Sequence, residues 1–341
     1  MNNILITGGC GFIGSNFIRY LLANSSYKVT NLDCLTYAGN LENLILVEKD
    51  PRYKFFKGNI CDSSLVANII KNEKIDCIIN FAAESHVDRS ILDSSIFVKT
   101  NVMGTQTLLE AARKTEIKKY IQISTDEVYG SLGKEGYFTE TTPIAPNSPY
   151  SASKAGGDLL VRSYVETYRF PAAIMRCSNN YGPFQFPEKF IPLIIANALN
   201  DKSIPLYGDG LNVRDWIFVE DFCRAIHCVL EVGRVGEVYN VGGNSEKNNK
   251  ELVKIILEHL NKPQSLVRNV TDRLGHDRRY AIDFTKIKHE LGWEPRYRFE
   301  DGIKQTIDWY VNNKQWINNV CSQRYLDYYA ENYKELGVGK I

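Results

Sequence analysis

A glycine-rich turn between a short apolar strand and an amphipathic helix opens the chain, and no other feature restricts the fold as much. The predicted strand covers Asn3 to Thr7, the turn is Gly8-Gly9-Cys10-Gly11-Phe12-Ile13-Gly14, and the predicted helix runs to about Leu22. Glycines let the backbone turn tightly and approach a pyrophosphate, whose charge a helix N-terminus favours. The glycine pattern alone is weak evidence. Here its flanking strand and helix, and a second predicted strand at Lys28 to Leu32, predict a dinucleotide site.

An acidic residue ends this second strand, about twenty residues after the glycines. A carboxylate there can accept hydrogen bonds from both ribose hydroxyls and would repel a 2′-phosphate, so Asp33 favours NAD over NADP. The alternative is that Asp33 only caps the end of a strand.

Strands and helices alternate through the first half of the chain. Further strands are predicted at Tyr53 to Lys57 and Ile75 to Ala83, with a helix from Ser64 to Asn72 between them. The second of these strands is apolar throughout, as expected of a strand buried on both faces. The pattern predicts an α/β fold, a doubly wound parallel sheet of the Rossmann type, with the ligand across its carboxyl edge.

The alternation loosens from about Asn179, where turn-rich segments carry charges and aromatics. We therefore predict two domains. An NAD-binding Rossmann domain with the catalytic residues covers 1–178. A smaller C-terminal lobe over 179–341 mainly binds substrate, with some segments returning to the large domain. The last twenty residues are predicted to form a helix docked on the body.

Polar residues end the apolar, β-prone run from Ile121 to Gly130 (IQISTDEVYG). Such a run predicts a buried strand that delivers Thr125, Asp126 and Glu127 to the sheet edge. The spacing from Ser124 to Glu127 also fits a capping box at the start of a helix, and this alternative stays open.

A tyrosine and a lysine, Tyr150 and Lys154, follow one helical turn apart and share one face of a predicted helix. A tyrosine normally titrates at about 10, and a nearby ammonium would stabilise its phenolate at neutral pH. Tyr150 is thus a candidate base for a hydroxyl proton, and Thr125 could hold the same oxygen. The adjacent carboxyl groups of Asp126 and Glu127 could act as a general acid and a general base if their pKa values are separated.

Composition restricts the possible partners. The chain has 341 residues, 44% of them hydrophobic, and a formal net charge of +1 with basic and acidic residues interspersed, so no nucleic-acid footprint is present. Apolar runs end well before the roughly 18 residues that a membrane span needs, and the N-terminus begins directly with a strand pattern. We predict a cytoplasmic enzyme that does not contact a membrane.

Eight cysteines are spread along the chain, without a CxxC motif or a cluster of Cys and His at ligand spacing. They are interpreted as small buried hydrophobes in a reducing compartment. No metal site is predicted.

Together, the glycine turn, Asp33, Ser124-Thr125 and the pair Tyr150 and Lys154 resemble the extended short-chain dehydrogenase/reductase family, over Asn2 to about Tyr310. Four segments are further similar to the nucleotide-sugar 4,6-dehydratases of that family. These segments are Thr125-Asp126-Glu127, Asn179-Asn180-Tyr181-Gly182-Pro183, Pro187-Glu188-Lys189 and the loop from Asp272 to Tyr280.

The resemblance implies NAD as cofactor, dTDP-glucose as substrate and a homodimer. Its reaction oxidises C4, eliminates water across C5 and C6, and returns the hydride to C6, so that the net change is dehydration. By the same resemblance Glu127 is the C5 base and Asp126 the C6 acid, and the catalytic set is Thr125, Asp126, Glu127, Tyr150 and Lys154.

Binding residues also follow from the resemblance, position by position. The expected cofactor contacts are Gly8, Gly11, Phe12, Ile13, Gly14, Asp33, Cys34, Leu35, Thr36, Asn59, Ile60, Phe81, Ala82, Ala83, Glu84, Ser85, Thr100, Tyr150, Lys154 and Asn180. The expected substrate contacts are Ser85, Thr125, Asn179, Lys189, Phe190, Pro205, Leu206, Tyr207, Arg214, Asn249, Asp272, Arg273, Leu274, Gly275 and His276.

Two positions depart from the family pattern. Asn59 stands where an aspartate usually faces the adenine amino group, and an amide oxygen can still accept that hydrogen bond. Leu274 replaces the usual proline of the substrate loop, which changes the rigidity of the loop more than its chemistry.

Three other functions remain open. A UDP-sugar 4-epimerase would share the glycines, the tyrosine and the lysine, but needs no carboxylate pair after the threonine. A 4,6-dehydratase for a UDP-, CDP- or GDP-sugar is not excluded by the segment from Pro205 to Tyr207. A non-catalytic NAD-binding sensor or scaffold would keep the same fold.

The two long predicted helices, Phe97 to Lys114 and Ser151 to Tyr168, carry apolar stripes at helical spacing. These stripes could pack inward or could pair with a second subunit in a helix bundle.

Overall fold

The computed structural model describes residues 1–321, and in its first half strands and helices alternate as predicted. The elements are β1 (Asn3–Thr7), α1 (Phe12–Asn24), β2 (Lys28–Asp33), β3 (Tyr53–Lys57), α2 (Ser63–Asn72), β4 (Cys77–Asn80), α3 (Val87–Leu92), α4 (Ser95–Phe97), α5 (Thr105–Arg113), β5 (Lys119–Thr125), α6 (Pro149–Tyr168) and β6 (Ala172–Cys177). Short 3-10 helices cover Leu41–Leu44 and Asp126–Tyr129, and a π-helix at Val98–Gly104 joins α4 to α5.

The second half has shorter strands and more helix. Its elements are β7 (Asn179–Tyr181), α7 (Phe190–Leu199), β8 (Ile204–Tyr207), β9 (Val213–Phe218), α8 (Val219–Val232), β10 (Val238–Val241), β11 (Glu246–Asn248), α9 (Asn249–His259), β12 (Val267–Val270), α10 (Thr285–Leu291), α11 (Phe299–Asn312) and α12 (Lys314–Val320), with a 3-10 turn at Gln264–Leu266.

One seven-stranded sheet organises the first half, and its strand order is β10-β6-β5-β4-β1-β2-β3. Every neighbouring pair in this sheet is parallel. The strand order reverses beside β1, so the carboxyl ends of β1, β4, β5 and β6 open onto the crevice where such sheets bind ligands. The predicted doubly wound fold is confirmed.

Apolar side chains cover both faces of this sheet. On one face Phe17 and Ile18 of α1 pack with Phe222 and Ile226 of α8. On the other face, the side chains of α2, α5 and α6 form a second cluster that includes Val161. Burial on both faces explains the continuous apolar runs of the central strands.

A third core lies in the second half, among α7, α9, α11, α12 and the short strands β8 and β9. β8 pairs with β12, and β9 lies between β7 and β11 in a small sheet. The predicted division into an NAD-binding domain over 1–178 and a lobe over 179–341 stays a prediction. β10 comes after the three lobe strands β7, β8 and β9 yet pairs with β6.

The helix expected from Phe97 to Lys114 is not one regular α-helix. It runs from Ser95 to Arg113 and widens into the π-helix in its middle. Within that wider turn Asn101 turns its side chain to the backbone of Glu84, accepting from the nitrogen at 2.9 Å and donating to the oxygen at 3.0 Å. Bulges of this type accommodate an extra residue and are frequent at functional sites.

The strand expected from Ile75 to Ala83 ends early, at Asn80. Beyond it the nitrogen of Phe81 still bonds to the oxygen of Thr7 at 3.1 Å, but the nitrogen of Ala82 bonds to the Thr7 hydroxyl instead of a strand partner. The chain therefore leaves the ladder where it begins to line the cavity described below.

Two further predictions need comment. Four of the eight cysteines are buried, but Cys34 is exposed and Cys61, Cys228 and Cys321 are only partly buried, so the buried interpretation is wrong for half of them. The helix predicted for the last twenty residues lies outside the described residues. Among residues 1–321 no helix combines the length and the apolar character needed to cross a membrane.

Candidate active site

A cavity of about 330 Å³ lies at the carboxyl edge of the large sheet. We call the wall to which the segments 8–14, 33–39 and 58–60 contribute residues the nucleotide side. The wall to which the segment 179–189 contributes residues is the lobe side. Thr125 to Glu127, Tyr150 and Lys154 lie between them. Within residues 1–321 no three His, Cys, Asp or Glu side chains are grouped to hold a metal ion.

The glycine turn has a backbone that larger residues would not allow. Gly8 has a φ of +68°, and a Cβ there would lie 2.6 Å from the nitrogen of Ala82. A Cβ on Gly14 would lie 2.5 Å from the oxygen of Gly8. The N-cap of α1 is Gly11, which offers no side-chain cap, so the first amides of the helix remain available to an anion. This arrangement fits the pyrophosphate of a dinucleotide.

Asp33 is held in place by backbone amides. Its Oδ2 accepts from the nitrogen of Cys10 at 2.9 Å, and its Oδ1 accepts from the nitrogen of Leu35 at 2.8 Å. Burial raises the pKa of the carboxyl, and these two hydrogen bonds oppose that shift. Each oxygen keeps capacity for a further donor, as recognition of a ribose diol requires.

The catalytic turn begins where β5 ends. The hydroxyl of Thr125 accepts from the nitrogen of Glu127 at 3.2 Å and lies 3.2 Å from Oδ1 of Asp126. Thr125 therefore caps the short 3-10 helix. The alternative, a capping box of Ser124 and Glu127, does not form, because Ser124 is still a buried residue of β5.

The two adjacent carboxyl groups differ in their electrostatic surroundings. Burial and the nearby charges of Glu127 and Asp215 raise the pKa of Asp126 well above its usual value. Burial also raises the pKa of Glu127, but Arg273, Arg214 and Lys189 act in the opposite direction. Asp126 thus favours its protonated form, whereas three cations favour the ionised form of Glu127.

Tyr150 and Lys154 project from the first two turns of α6. Ser148 and Ser151 form a capping box at its start, and Pro149 occupies its first turn, so the helix begins at a fixed position. Both Tyr150 and Lys154 are buried and line the cavity.

Lys154 is held by the backbone of β5, and its action on Tyr150 stays a prediction. The ammonium donates to the oxygen of Ile123 at 2.6 Å. Burial raises the pKa of Tyr150 well above its usual value, the Glu127 charge adds to this, and a hydrogen bond with Thr125 opposes it. Burial lowers the pKa of Lys154, and Asp158 raises it. The chain alone therefore keeps Tyr150 protonated.

On the lobe side, the predicted substrate residues fall into two groups. Ser85, Thr125, Asn179 and Lys189 line the cavity, and the Lys189 ammonium donates to the oxygen of Ser85 at 2.5 Å. The cavity wall does not include Phe190, Pro205, Leu206, Tyr207, Arg214, Asn249, Asp272, Arg273, Leu274, Gly275 or His276. Of the predicted cofactor residues, all but Leu35 line it.

Several members of that second group still converge near the cavity. The hydroxyl of Tyr207 donates to Asp88 Oδ2 at 3.0 Å, and Arg273 Nη1 lies 3.6 Å from Asp88 Oδ1. Arg214 donates to the oxygen of Asp277 at 3.0 Å. Leu274, which departs from the family pattern, is 76% exposed, so most of this residue faces solvent.

All three arginines in the loop from Asp272 to Tyr280 have a carboxylate partner, which for Arg273 is Asp88. Arg278 pairs with Asp209, and Arg279 pairs with Glu246. Arg273 is the member of this trio whose charge acts on Glu127.

Some residues of the cavity were not predicted as site residues. They are Leu32, Ala38, Gly39, Gly58, Ile96, Ile123, Ser124, Cys177, Ser178, Gln185, Phe186 and Glu188. Ser124, Cys177 and Ser178 follow the same rule that identified Thr125, because they stand at the carboxyl ends of β5 and β6. Glu188 carries no such signal, since its position depends on the lobe.

The chain was compared with known proteins. The family model described as GDP-mannose 4,6 dehydratase matches residues 5–306. A dTDP-glucose 4,6-dehydratase of Xanthomonas campestris pv. campestris (strain B100) is 52% identical over 339 residues, which cover 94% of this chain and 96% of the relative.

Solved structures give the same picture. A dTDP-glucose 4,6-dehydratase of Streptomyces venezuelae, solved with NAD bound, has 50% identity and a TM-score of 0.91, and the match covers 93% of this chain and 99% of the other. A UDP-glucose 4-epimerase of Thermotoga maritima reaches 31% identity and a TM-score of 0.85, with 92% and 99% covered. This protein is therefore a member of the GDP-mannose 4,6 dehydratase family, within the extended short-chain dehydrogenases/reductases.

Proposed function

We propose that this protein is an NAD-dependent hydro-lyase that converts dTDP-glucose to dTDP-4-keto-6-deoxy-glucose and water. The observation that carries the proposal is the pair Asp126 and Glu127, a buried and a partly buried carboxyl group in different electrostatic surroundings beside Tyr150. An epimerase has no use for this pair, because it removes no proton from C5 and releases no water.

The nucleotide side fits NAD. The uncapped start of α1 suits the pyrophosphate, and Asp33 suits a ribose diol and disfavours a 2′-phosphate. When bound, NAD supplies the hydride acceptor and donor that the reaction needs.

Side chains of the protein carry out the proton transfers of the reaction. Tyr150 accepts the C4 hydroxyl proton in its phenolate form, which the Lys154 ammonium and the positive charge of bound oxidised NAD would stabilise, and Thr125 holds the same oxygen. Glu127, which three cations favour as a carboxylate, removes the C5 proton once C4 is a carbonyl. Asp126, whose raised pKa keeps it protonated, protonates the C6 hydroxyl as it leaves.

Incubation of the enzyme with NAD and a panel of glucose nucleotides, followed by mass spectrometry, tests this proposal. The dTDP sugar should lose 18 mass units at a higher kcat/KM than the UDP, CDP or GDP sugars. Conversion of UDP-glucose to an isomer of unchanged mass would instead indicate an epimerase. If NAD-loaded protein converts none of the sugars, the result would favour the non-catalytic NAD-binding sensor.

We also infer a homodimer. Several large apolar side chains on the helical layer of α3 to α6 are exposed, including Leu92 at 69% and Met103 at 57%. Ile96, Val98 and Leu159 extend the same set, and pairing with a second copy would remove their surface from water. Sedimentation at micromolar concentration should give a dimer, and Met103→Glu should shift it toward the monomer, whereas a wild-type monomer would contradict the inference.

A cytoplasmic location is proposed from the eight cysteines, which are all free and suit a reducing compartment. Fractionation of cells that express the protein would test this.

A further inference from the structure

A buried contact between a tyrosine and a glutamate joins the two sides of the cavity. Tyr37 lies in the loop after β2, and its hydroxyl donates to Oε1 of Glu188 at 2.8 Å across 151 residues of sequence. The side chain of Glu188 is 2% exposed and lines the cavity just before Lys189. The contact connects the loop that follows Asp33 to the segment that leads into the lobe.

The loop that carries Tyr37 is fixed to the nucleotide side. The nitrogen of Asn40 donates to the oxygen of Cys10 at 3.0 Å, and the nitrogen of Gly39 donates to the oxygen of Thr36 at 3.0 Å. A Cβ on Gly39 would lie 2.8 Å from Oδ1 of Asp33. A ligand that contacts Asp33 and Thr36 therefore also restricts the loop from which Tyr37 extends.

Glu188 is held from a third direction by the segment around α3. Arg89 Nε lies 3.3 Å from its Oε2, and His86 Nε2 lies 4.0 Å from the same oxygen. The guanidinium of Arg89 also covers the ring of Tyr37 at 4.0 Å. The charged and titratable groups that face the carboxylate are thus Tyr37, Arg89, His86 and the adjacent Lys189.

These neighbours favour the ionised carboxylate. Burial raises the pKa of Glu188, and Lys189, Arg89 and the Tyr37 hydroxyl lower it. Loss of that hydroxyl would remove one of the groups that stabilise the charge while leaving the carboxyl buried.

We propose that Tyr37 is a positioning residue that holds Glu188 in the cavity and thereby couples the binding of cofactor to the binding of nucleotide sugar. The inference rests on the proposed function, which supplies the two ligands. A cofactor that orders the loop after Asp33 fixes Tyr37, and Tyr37 fixes the carboxylate and the adjacent Lys189. Such coupling is reciprocal, so either ligand strengthens the binding of the other.

Tyr37→Phe tests the coupling, because it removes the hydroxyl and keeps the ring against Arg89 and Phe186. The Kd of NAD is measured by titration with and without saturating dTDP, so no turnover is needed. In the wild type dTDP should tighten NAD binding by at least about fivefold, the lower end of typical coupling. In Tyr37→Phe the ratio should fall to near one.

A pH profile supplies a second readout. Without the hydroxyl the ionised form of Glu188 loses a donor, so the pKa of the carboxyl rises. The acid limb of kcat/KM for dTDP-glucose should move to higher pH in Tyr37→Phe. A purely structural role would lower the melting temperature and leave this limb in place.

Tyr297→Phe is the matched control. Its hydroxyl donates to Oε2 of Glu220 at 2.9 Å. This contact also joins distant parts of the sequence, but it is exposed. This variant should keep the wild-type coupling ratio and the wild-type acid limb. Equal behaviour of the two variants would overturn the proposal.

Glu188→Gln completes the test, including the case in which Tyr37→Phe folds poorly. The amide loses the charge that the cavity holds, so this variant alone should reduce the coupling ratio, and adding Tyr37→Phe to it should change the ratio little further. A ratio unchanged by Glu188→Gln would overturn the proposal. Failure of wild-type protein to dehydrate dTDP-glucose would instead count against the proposed function, because the coupling is read from binding.

Discussion

The nucleotide side and the lobe side of the cavity are built in different ways. The nucleotide side depends on backbone, through the left-handed Gly8, the close approach of Gly14 and the amides that hold Asp33, all within the first 35 residues. The lobe side depends on side chains that meet across the fold, such as Lys189 with Ser85, 104 residues apart. The nucleotide side can be altered by adding a single methyl group, whereas the lobe side responds to changes of charge.

The largest expected effect comes from the carboxyl pair. Glu127→Gln or Asp126→Asn should lower dehydration by roughly a hundred- to ten-thousandfold, which is what a positioned acid or base contributes. NAD binding should change little, because neither side chain belongs to the nucleotide side. Stopped-flow absorbance should still detect reduced nicotinamide on addition of dTDP-glucose, and Tyr150→Phe should suppress that signal too.

Deuterium exchange separates the two carboxyl groups. Glu127→Gln should slow exchange of the C5 proton with solvent, whereas Asp126→Asn should leave exchange faster than elimination. Glu135→Gln, an exposed residue outside the cavity, is the control. Normal dehydration in both amide variants would remove the pair from its assigned roles.

At the glycine turn, by contrast, a substitution is expected to weaken NAD binding. In Gly8→Ala the new Cβ would meet the nitrogen of Ala82 at 2.6 Å in a left-handed backbone, so the turn must shift. NAD affinity should fall by about fivefold to thirtyfold, given roughly 1–2 kcal/mol for the backbone conformation alone. Gly133→Ala meets no atom within 4 Å and should bind NAD as the wild type does, as fluorescence titration can check. Unchanged affinity in Gly8→Ala would contradict the backbone account of this side.

A smaller effect concerns stability and pH. The pKa of Asp126 is raised in the folded protein, so its contribution to stability is fully present below the unfolded pKa and is lost as pH rises through the folded value. The wild-type free energy of unfolding should fall over that range, by at most about 1.4 kcal/mol per pH unit for one proton. Asp126→Asn should flatten the fall in urea titrations, while Asp301→Asn, exposed on α11, should not.

The smallest effect is expected within the arginine loop. The pair between Arg278 and Asp209 is exposed and screened by solvent, so Arg278→Ala should change KM for dTDP-glucose by less than about fivefold. Arg273→Ala should raise KM more, since Arg273 acts on Glu127 and lies 3.6 Å from Asp88. Equal effects would mean that the electrostatic action of Arg273 on Glu127 does not distinguish the two arginines.

The features that depend on short stretches of sequence could be predicted. The strands, the glycine turn and Asp33 follow from spacing and periodicity, and the carboxyl end of β5 correctly located Thr125 to Glu127 in the cavity. The π-helix at Val98–Gly104 was not predicted, because it accompanies a contact between Asn101 and the distant backbone of Glu84.

The rest depends on contacts that the sequence does not display. Glu188 reaches the cavity through Tyr37 and Arg89, and neither partner is near it in the chain. Likewise, Lys154 is directed to the oxygen of Ile123 in β5, which its spacing from Tyr150 could not reveal.

The return of β10 to the large sheet limits how this enzyme could be recombined. Because β10 lies against β6 and comes after the lobe strands β7, β8 and β9, a chimaera joined after Cys177 would replace an edge strand together with the lobe. The backbone of β6 from Ile174 to Cys177 would then lack its native neighbour and become an open edge, which is prone to aggregation. A graft that preserves the sheet needs two junctions, one after β6 and one before β10.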